Sequence, residues 1–433
     1  MKAGTDVVII GAGVIGCAVA LEFARTGRRV MVLDKGPAAG TGSTSSSSSI
    51  IRFSYSTIDS VLTAWESAPA WHDWEGYLGA RDPDGMCRFI PTGMLLFDTP
   101  EFSFRRITDL WDEVGIGYEM LEADQIAARF PQLDVGRFFP PKPVDDPSFG
   151  DDAQGTLNAI FEPKAGFVDD PMLAARNIAF AAARHGAVFR FHADVTGVEF
   201  SAGRLAGVRL ADGEVVEAPI VINVGGPHSA MLNVLAGADV DMAIRHRPLR
   251  HEVFVVPAPE GLGLDDGAPI VSDLDIGQYF RPQMGGTLLV GGTEPACDAM
   301  EWVDDPDYYD ENTSVEKFET TMYRLARRVP DFGVPLRPVG LAALYDVADD
   351  WVPIYDCSSV RGWYMACATS GNQFKNAPIA GKFMVAIVDA VEGGRDHDRD
   401  PVQFVGEHTG RSIDLGAFSR RRTPASTSGT VMG

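Results

Sequence analysis

The chain has 433 residues, with 37 basic and 60 acidic side chains and a net charge of −23. That balance excludes a nucleic-acid binder, because a polyanion needs a basic footprint, and the basic run Arg420-Arg421-Arg422 sits in a Ser/Thr-rich tail. With 45% hydrophobic residues the chain can bury a large core, yet no window reaches the roughly 18 apolar residues of a spanning helix.

The five cysteines, Cys17, Cys87, Cys297, Cys357 and Cys367, are odd in number, scattered and without a C-x-x-C pair. Neither a disulfide framework nor a metal site is expected, and a reducing, cytoplasmic setting fits. Residues 7–21 are uncharged and could pass for the apolar part of a signal peptide. The spacing of Gly11, Gly13 and Gly16 within them favours a nucleotide-binding turn.

In chain order, residues 5–10 are an apolar strand, 14–25 a helix and 29–33 a second strand ending at Asp34. The Gly/Ser/Thr-rich stretch 40–49 follows, too polar and flexible for an ordinary element, and runs into Ile50-Ile51. Residues 59–77 predict a helix with an aromatic face in which Trp65, Trp71 and Trp74 serve the core. A strand is expected at 89–97, helices at 101–114 and 122–130, and a Pro/Asp-rich loop at 138–152. A helix at 170–185 is entered through Asp170 and Pro171, an N-cap followed by a first-turn proline. Strands are expected at 188–191, 195–200, 205–210 and 220–224, the last ending at Gly225-Gly226. The next stretch turns to β structure, with strands at 252–256, 278–281 and 287–290, which suggests a second layer carrying substrate. The acidic stretch 304–311 reads as solvated surface. A helix at 315–328, strands at 340–345 and 362–368 and a helix at 376–391 complete the pattern, and the tail beyond Phe418 reads as mobile.

Gly11-Ala12-Gly13-Val14-Ile15-Gly16 follows a strand and heads a helix, so its backbone can approach a pyrophosphate that faces the helix amides. Asp34 lies 18 residues beyond Gly16, at the end of the second strand, where a carboxylate meets ribose hydroxyls and repels a 2′-phosphate. A second glycine-rich segment, 368–376, also begins a helix and lies near the other end of the sequence. Together they point to FAD held from both ends, with the second helix N-terminus stabilising charge that builds on the reduced flavin.

On these residues, and on Ile50-Ile51-Arg52, the segment 340–346 leading to 350–353, and Ser370-Gly371-Asn372-Gln373-Phe374-Lys375, the chain resembles the D-amino-acid-oxidase superfamily of FAD enzymes. Within it the branch of sarcosine oxidase, dimethylglycine dehydrogenase and amino-acid-type proline dehydrogenase is the most similar, over about residues 5–392. The resemblance implies a glutathione-reductase-like Rossmann α/β FAD domain with an inserted mixed β-sheet substrate domain. The expected partition is 1–87, 153–236 and 336–395 for the FAD domain, 88–152 and 237–335 for the substrate domain, and 396–433 for an extension and tail. It implies that FAD is held by the fingerprint residues with Asp34 and Lys35, by Ser43, Thr44 and Ser49 of the Ser-rich stretch, by Val195 and Gly225, and by Gly371 to Phe374.

It further implies that Arg52 and Lys375 bind the substrate carboxylate, with Tyr345 and, more loosely, Tyr279 lining the substrate. The chemistry suits these residues, since a guanidinium pairs bidentately with a carboxylate and an ammonium adds a point charge. His251 reads as structural. Sarcosine oxidases attach flavin through a cysteine whose place is taken by Ala343, so noncovalent FAD is expected. Their oxygen-activating lysine aligns with Leu289, a site histidine with Thr293 and an arginine beside the flavin with Ser49, which puts fast reaction with O₂ in doubt.

The expected reaction is oxidation of the C–N bond of an amino acid or N-alkylated amino acid by hydride transfer to flavin N5, giving an imine that hydrolyses. The expected partners are a small carboxylate-bearing amine and, as electron acceptor, O₂ or a carrier protein or quinone. The alternatives are a flavin-dependent 2-hydroxy acid dehydrogenase, served by the same Arg52 and Lys375, and a non-catalytic FAD-binding subunit or assembly factor.

Overall fold

The computed structural model describes residues 4–100 and 103–433. Its first layer is a six-stranded sheet ordered Ile354–Cys357, Trp363–Cys367, Ile220–Asn223, Val7–Ile10, Val30–Leu33 and Val188–Arg190. All neighbours run parallel except the antiparallel Ile354–Cys357 edge. A parallel strand buried on both faces reads as a continuous apolar run, and Val7-Val8-Ile9-Ile10 shows why. Val7 and Ile9 pack with the helices Val14–Arg25, Pro171–Arg184 and Ala377–Glu392. Val8 and Ile10 face the opposite core, with the three-stranded sheet Val195–Ser201, Arg204–Leu210 and Val215–Glu217 and the helix Ser229–Ala236. Asp170 caps its helix as expected, accepting from Leu173 N at 2.8 Å ahead of Pro171.

The second layer is a nine-stranded sheet built on the long strand His246–Pro257, which pairs with Thr287–Gly292 and Glu301–Trp302 along one side and with Gly340–Ala348 along the other. The order continues through Gln278–Gln283, Ile270–Asp273, Met94–Phe97, Ala159–Glu162 and Glu119–Leu121. Strand periodicity divides its faces. Phe280, Val290 and Phe254 pack on the helix Val315–Arg328 through Phe318, whereas Tyr279, Leu289 and Val253 gather on the opposite face with Ile50. That opposite face looks toward the first layer. Arg328 ties helix to sheet from full burial, its guanidinium bonded to Asp273 at 2.6 Å and Asp275 at 3.0 Å.

Several expectations are corrected. The aromatic helix at 59–77 is two helices, Ile58–His72 and Trp74–Leu78, because Asp73 leaves helical geometry and its carboxylate caps the second by accepting from Gly76 N at 3.0 Å. The strand at 89–97 is broken into Phe89–Ile90 and Met94–Phe97 around Gly93, whose φ is +70° and where a Cβ would sit 2.3 Å from the Phe161 ring. The helix expected at 101–114 spans Phe104–Val114, and Glu101 and Phe102 lie outside the described residues. Strands Ala159–Glu162 and Gly166–Val168 were not expected at all.

The tail is docked, contrary to its mobile reading. Arg420 is 1% exposed and pairs with Asp241 at 2.5 Å, Asp356 at 2.9 Å and Asp398 at 2.8 Å, while Arg422 pairs with Asp350 at 2.7 Å. The one basic run in the chain is thus a clamp that holds residues 419–433 on the body. Among the described residues no helix is long and apolar enough to cross a membrane.

Candidate active site

A cavity of about 1050 Å³ lies between the two sheets. At one end stands the fingerprint turn. Gly11 has φ +110°, and a Cβ there would lie 2.3 Å from Val224 O; a Cβ on Gly16 would lie 2.0 Å from Gly11 O. Glycine is therefore demanded by the close approach of two strands and a helix, leaving the Gly13 and Val14 end of the helix open to the cavity. Gly13 has no side chain to cap that helix, Val14 N is met only by the neutral Thr44 hydroxyl, and no acidic residue stands in the first turn, so its positive end faces the cavity. A pyrophosphate fits this cradle.

Asp34 is placed where expected, and its carboxylate also fixes the turn, accepting from Ala12 N at 2.6 Å and Gly36 N at 2.7 Å. Lys35 is half exposed at the rim, bonded to His228 Nε2 at 2.8 Å and to Asp307. Asp307, Tyr309 and Glu311 line the cavity, so the 304–311 stretch is a rim and not plain solvated surface. Val195 and Gly225 line the same end.

The Ser-rich stretch is a run of tight turns. Ser43 Oγ donates to Leu344 O at 2.7 Å, Thr44 Oγ1 accepts from Val14 N at 3.0 Å, and Ser49 Oγ donates to Val168 O at 2.7 Å. These bonds shape the loop, and residues 41–44 and 46–50 line the cavity. Ala343 lines it too, and none of the lining residues is a cysteine, which leaves no thiol for a flavin linkage.

Gly371, Asn372, Gln373 and Phe374 close the far side. Gly371 has φ +68°, and a Cβ on it would press into the Tyr345 ring at 2.7 Å. The segment is set by its own amides: Gln373 Nε2 donates to Asn372 Oδ1 at 2.6 Å and Asn376 Nδ2 to Gln373 Oε1 at 2.7 Å. Trp71 Nε1 donates to Lys375 O at 2.7 Å and its ring stacks on Phe374 at 5.3 Å. The aromatic helix face thus both fills the core and holds this turn.

At the end remote from the fingerprint turn, Arg52 and Lys375 come together as expected. Both are buried and both line the cavity. They share Tyr55: the Arg52 guanidinium lies 4.7 Å from the ring centroid and Lys375 Nζ donates to Tyr55 Oη at 3.0 Å. Lys375 Nζ also donates to Asn372 O at 2.8 Å. Burial, and then the Arg52 charge, hold the Lys375 ammonium well below its usual range. Beneath them Glu162 is fully buried, accepts from Phe53 N at 2.7 Å through Oε1, and leaves Oε2 without a hydrogen bond. Burial pushes its carboxyl up to about 8, against the pull of the Phe53 N–H, Arg52 and Lys375.

Tyr279 and Tyr345 both line the cavity above this pair. Tyr279 Oη is 2.6 Å from Ser48 Oγ, and burial raises both phenols, Tyr345 further through the neighbouring Tyr279 and Glu294. His251 stacks on Tyr345 with centroids 4.9 Å apart, its Nδ1 2.7 Å from Glu294, and it does not reach the cavity. It supports the tyrosine, in keeping with a structural histidine. Leu289 and Thr293 are buried near this wall and put no charge into it.

Sequence reasoning missed Tyr55, Glu162, Ser48 and the tail residues Val431 and Met432, which line the cavity beside Arg52. Tyr55, three residues after Arg52, was open to notice as part of the same loop. Glu162 lay in an unassigned strand, and nothing local marks the tail.

A nucleotide-sized cleft that opens from a Rossmann turn onto a second sheet carrying buried cations defines a two-layer flavin-type oxidoreductase. The chain belongs to the FAD dependent oxidoreductase family (DAO), whose pattern matches residues 6–387. It is 24% identical over 407 residues to glycine oxidase of Geobacillus kaustophilus, covering 90% of this chain and 94% of that one. It is 26% identical over 241 residues to monomeric sarcosine oxidase of Bacillus sp., covering 54% of this chain and 55% of the other. L-proline dehydrogenase from P. horikoshii has a similar fold, with a TM-score of 0.73 at 21% identity over 91% of this chain and 95% of that one. The cofactor of the family is FAD, and the cradle described above suits it.

Proposed function

We propose that the protein oxidises the C–N bond of a small amino acid or N-alkylated amino acid, with FAD bound along the cavity from the Gly11–Gly16 turn to the Gly371–Phe374 segment. The observation that carries this reading is the pair Arg52 and Lys375, two buried cationic side chains brought to one end of the cavity from positions 323 residues apart in sequence. Relatives named for glycine, sarcosine and D-amino acids support it.

Bound there, FAD supplies the acceptor for two electrons. The chain does the positioning. Arg52 meets the substrate carboxylate with a planar fork, and Lys375 contributes donors whose charge that carboxylate would favour. Tyr279 and Tyr345 close the opposite wall with phenols that stay protonated, offering hydroxyls to the amine end and excluding water. No side chain in the cavity is assigned a covalent role. The amine must be unprotonated to give up hydride, so turnover is expected to rise with pH until the free amine dominates.

FAD is held by noncovalent contacts, with Asp34 on the ribose and the fingerprint amides on the pyrophosphate. With Leu289 and not a lysine beside this wall, reaction with O₂ is slow and a carrier protein or quinone is the favoured acceptor. Segments 1–87, 153–236 and 336–395 form the FAD domain, 88–152 and 237–335 the substrate domain.

The test is steady-state turnover with an artificial electron acceptor over a panel of glycine, sarcosine, proline, D- and L-amino acids and 2-hydroxy acids. Activity with amines supports the reading. Activity confined to 2-hydroxy acids would replace it with a hydroxy acid dehydrogenase, and none at all would favour a non-catalytic flavoprotein.

A further inference from the structure

Arg52, assigned above to the substrate carboxylate, is already engaged by the chain's own tail. Its Nη2 donates to Val431 O at 2.9 Å and to Met432 O at 3.0 Å, while Nη1 donates to Ser54 O and, at 3.3 Å, to Ser54 Oγ. Both terminal nitrogens are thereby committed to neutral oxygens. Met432 is 3% exposed and lines the cavity, with its sulfur 3.3 Å from Ser272 Oγ, and Ser56 Oγ donates to Gly433 O at 2.6 Å. A carboxylate cannot take the fork of Arg52 while these two carbonyls hold it.

The attachment of the tail is uneven. Residues 420–427 are fixed to the body by charge: Arg420 by three carboxylates, Arg422 by Asp350, and Ala425 N and Thr427 Oγ1 by the Asp350 carboxylate and carbonyl at 3.0 and 2.9 Å. Beyond Thr427 the contacts within the tail are hydroxyl turns, Ser428 Oγ to Thr430 Oγ1 at 2.9 Å and Met432 N to Thr430 Oγ1 at 3.1 Å. Against the site this end offers two carbonyls, one serine bond and one thioether, together with the apolar packing of Met432 in the core and of Val431 on Leu249, Val347 and Trp351, and it carries no charged side chain. An ionised carboxylate can pair with a guanidinium through two parallel hydrogen bonds and adds the attraction of opposite charges, which two separate neutral carbonyls do not offer.

We propose that residues 428–432 are a strap that occupies the carboxylate end of the site and gives way when a carboxylate binds Arg52. The firm anchor at Arg420 and Arg422 keeps the strap close after it leaves, so it returns at high effective concentration and competes with every substrate molecule. This rests on the carboxylate role of Arg52 proposed above.

The test compares the FAD-loaded full chain with a variant lacking residues 424–433, using acetate as a redox-inert carboxylate and flavin absorbance as the binding signal. A strap that fills the site nine-tenths of the time or more weakens acetate by about tenfold or more, so the deletion should tighten it by that factor. In the full chain, saturating acetate should speed hydrogen exchange of the amides of residues 428–432. Unchanged or weaker binding after deletion, or slowed exchange on adding acetate, would overturn the strap and make the segment a fixed wall. If the shortened chain fails to fold, Met432→Gly, which loosens the strap while sparing its anchors, must tighten acetate in the same direction. Acetate binding that is lost in Arg52→Met but indifferent to the strap would sink this inference alone. Acetate binding to none of the proteins would sink the carboxylate reading, and the strap with it.

Discussion

Lys375 Nζ donates to Tyr55 Oη at 3.0 Å, and the same ring carries the Arg52 guanidinium 4.7 Å from its centroid. One phenol thus spaces the two side chains on which the functional reading depends. Replacing Lys375 by Met keeps the volume and removes the donors. The loss of one charge-assisted hydrogen bond, about 1.5–3 kcal/mol, predicts a rise of roughly ten- to a hundredfold in KM for an amino-acid substrate. Steady-state kinetics, with FAD content unchanged, checks it. Arg52→Lys is expected to be no milder, because an ammonium cannot reproduce the planar fork.

Glu162 makes the site's response to pH legible in stability. Its folded carboxyl titrates at about 8 and an ordinary one near 4.5. Between those values the folded state holds a proton the unfolded chain has released, so this group lowers stability as pH rises through that window. The slope is on the order of 1.4 kcal/mol per pH unit there and vanishes above it. Glu162→Gln mimics the protonated form. The melting temperature of the parent, measured relative to that variant, should therefore fall from pH 5 to 8 and then level off.

Gly11 is held at φ +110° with Val224 O in the way of any Cβ. Gly11→Ala should push the Val7–Ile10 strand away from Ile220–Asn223, costing about 1–3 kcal/mol of stability and most of the bound FAD. Flavin fluorescence of the purified variant and its thermal midpoint check this together. Loss of FAD with an unchanged midpoint would place the glycine in the cradle alone.

The glycine turn, the helices Pro171–Arg184 and Val315–Arg328, and the convergence of Arg52 and Lys375 were legible because short-range chemistry or a shared motif encodes them. The break at Asp73 was hidden by apolar spacing that continues through it, while the capping carboxylate decides the geometry. Ser43, Thr44 and Ser49 were read as cofactor ligands and all three line the cavity, while their bonds to Leu344 O, Val14 N and Val168 O, which fix the loop, were not legible. The tail was opaque for a different reason. Ser/Thr-rich composition argues for mobility, and the carboxylates that order it, Asp241, Asp356, Asp398 and Asp350, lie far away in sequence.

Arg420 gives that clamp a measurable strength. Its guanidinium is 1% exposed, and removing it leaves Asp356 buried without its cation. Arg420→Ala should cost about 3–5 kcal/mol in urea unfolding, far more than an exposed pair would. Arg399→Ala, which breaks an exposed pair with Asp396, should cost about 1 kcal/mol or less.

The central claim is that an amine carrying a carboxylate delivers electrons to FAD in this cavity. Anaerobic titration of the FAD-loaded protein with sarcosine, glycine, proline and D-amino acids, followed by flavin absorbance near 450 nm, tests it most directly. At least one of these amines is expected to bleach the flavin, with the response lost or shifted to much higher concentration in Arg52→Met, and slow recovery when air is admitted. Full retention of the oxidised spectrum with every amine, while FAD stays bound, would contradict it.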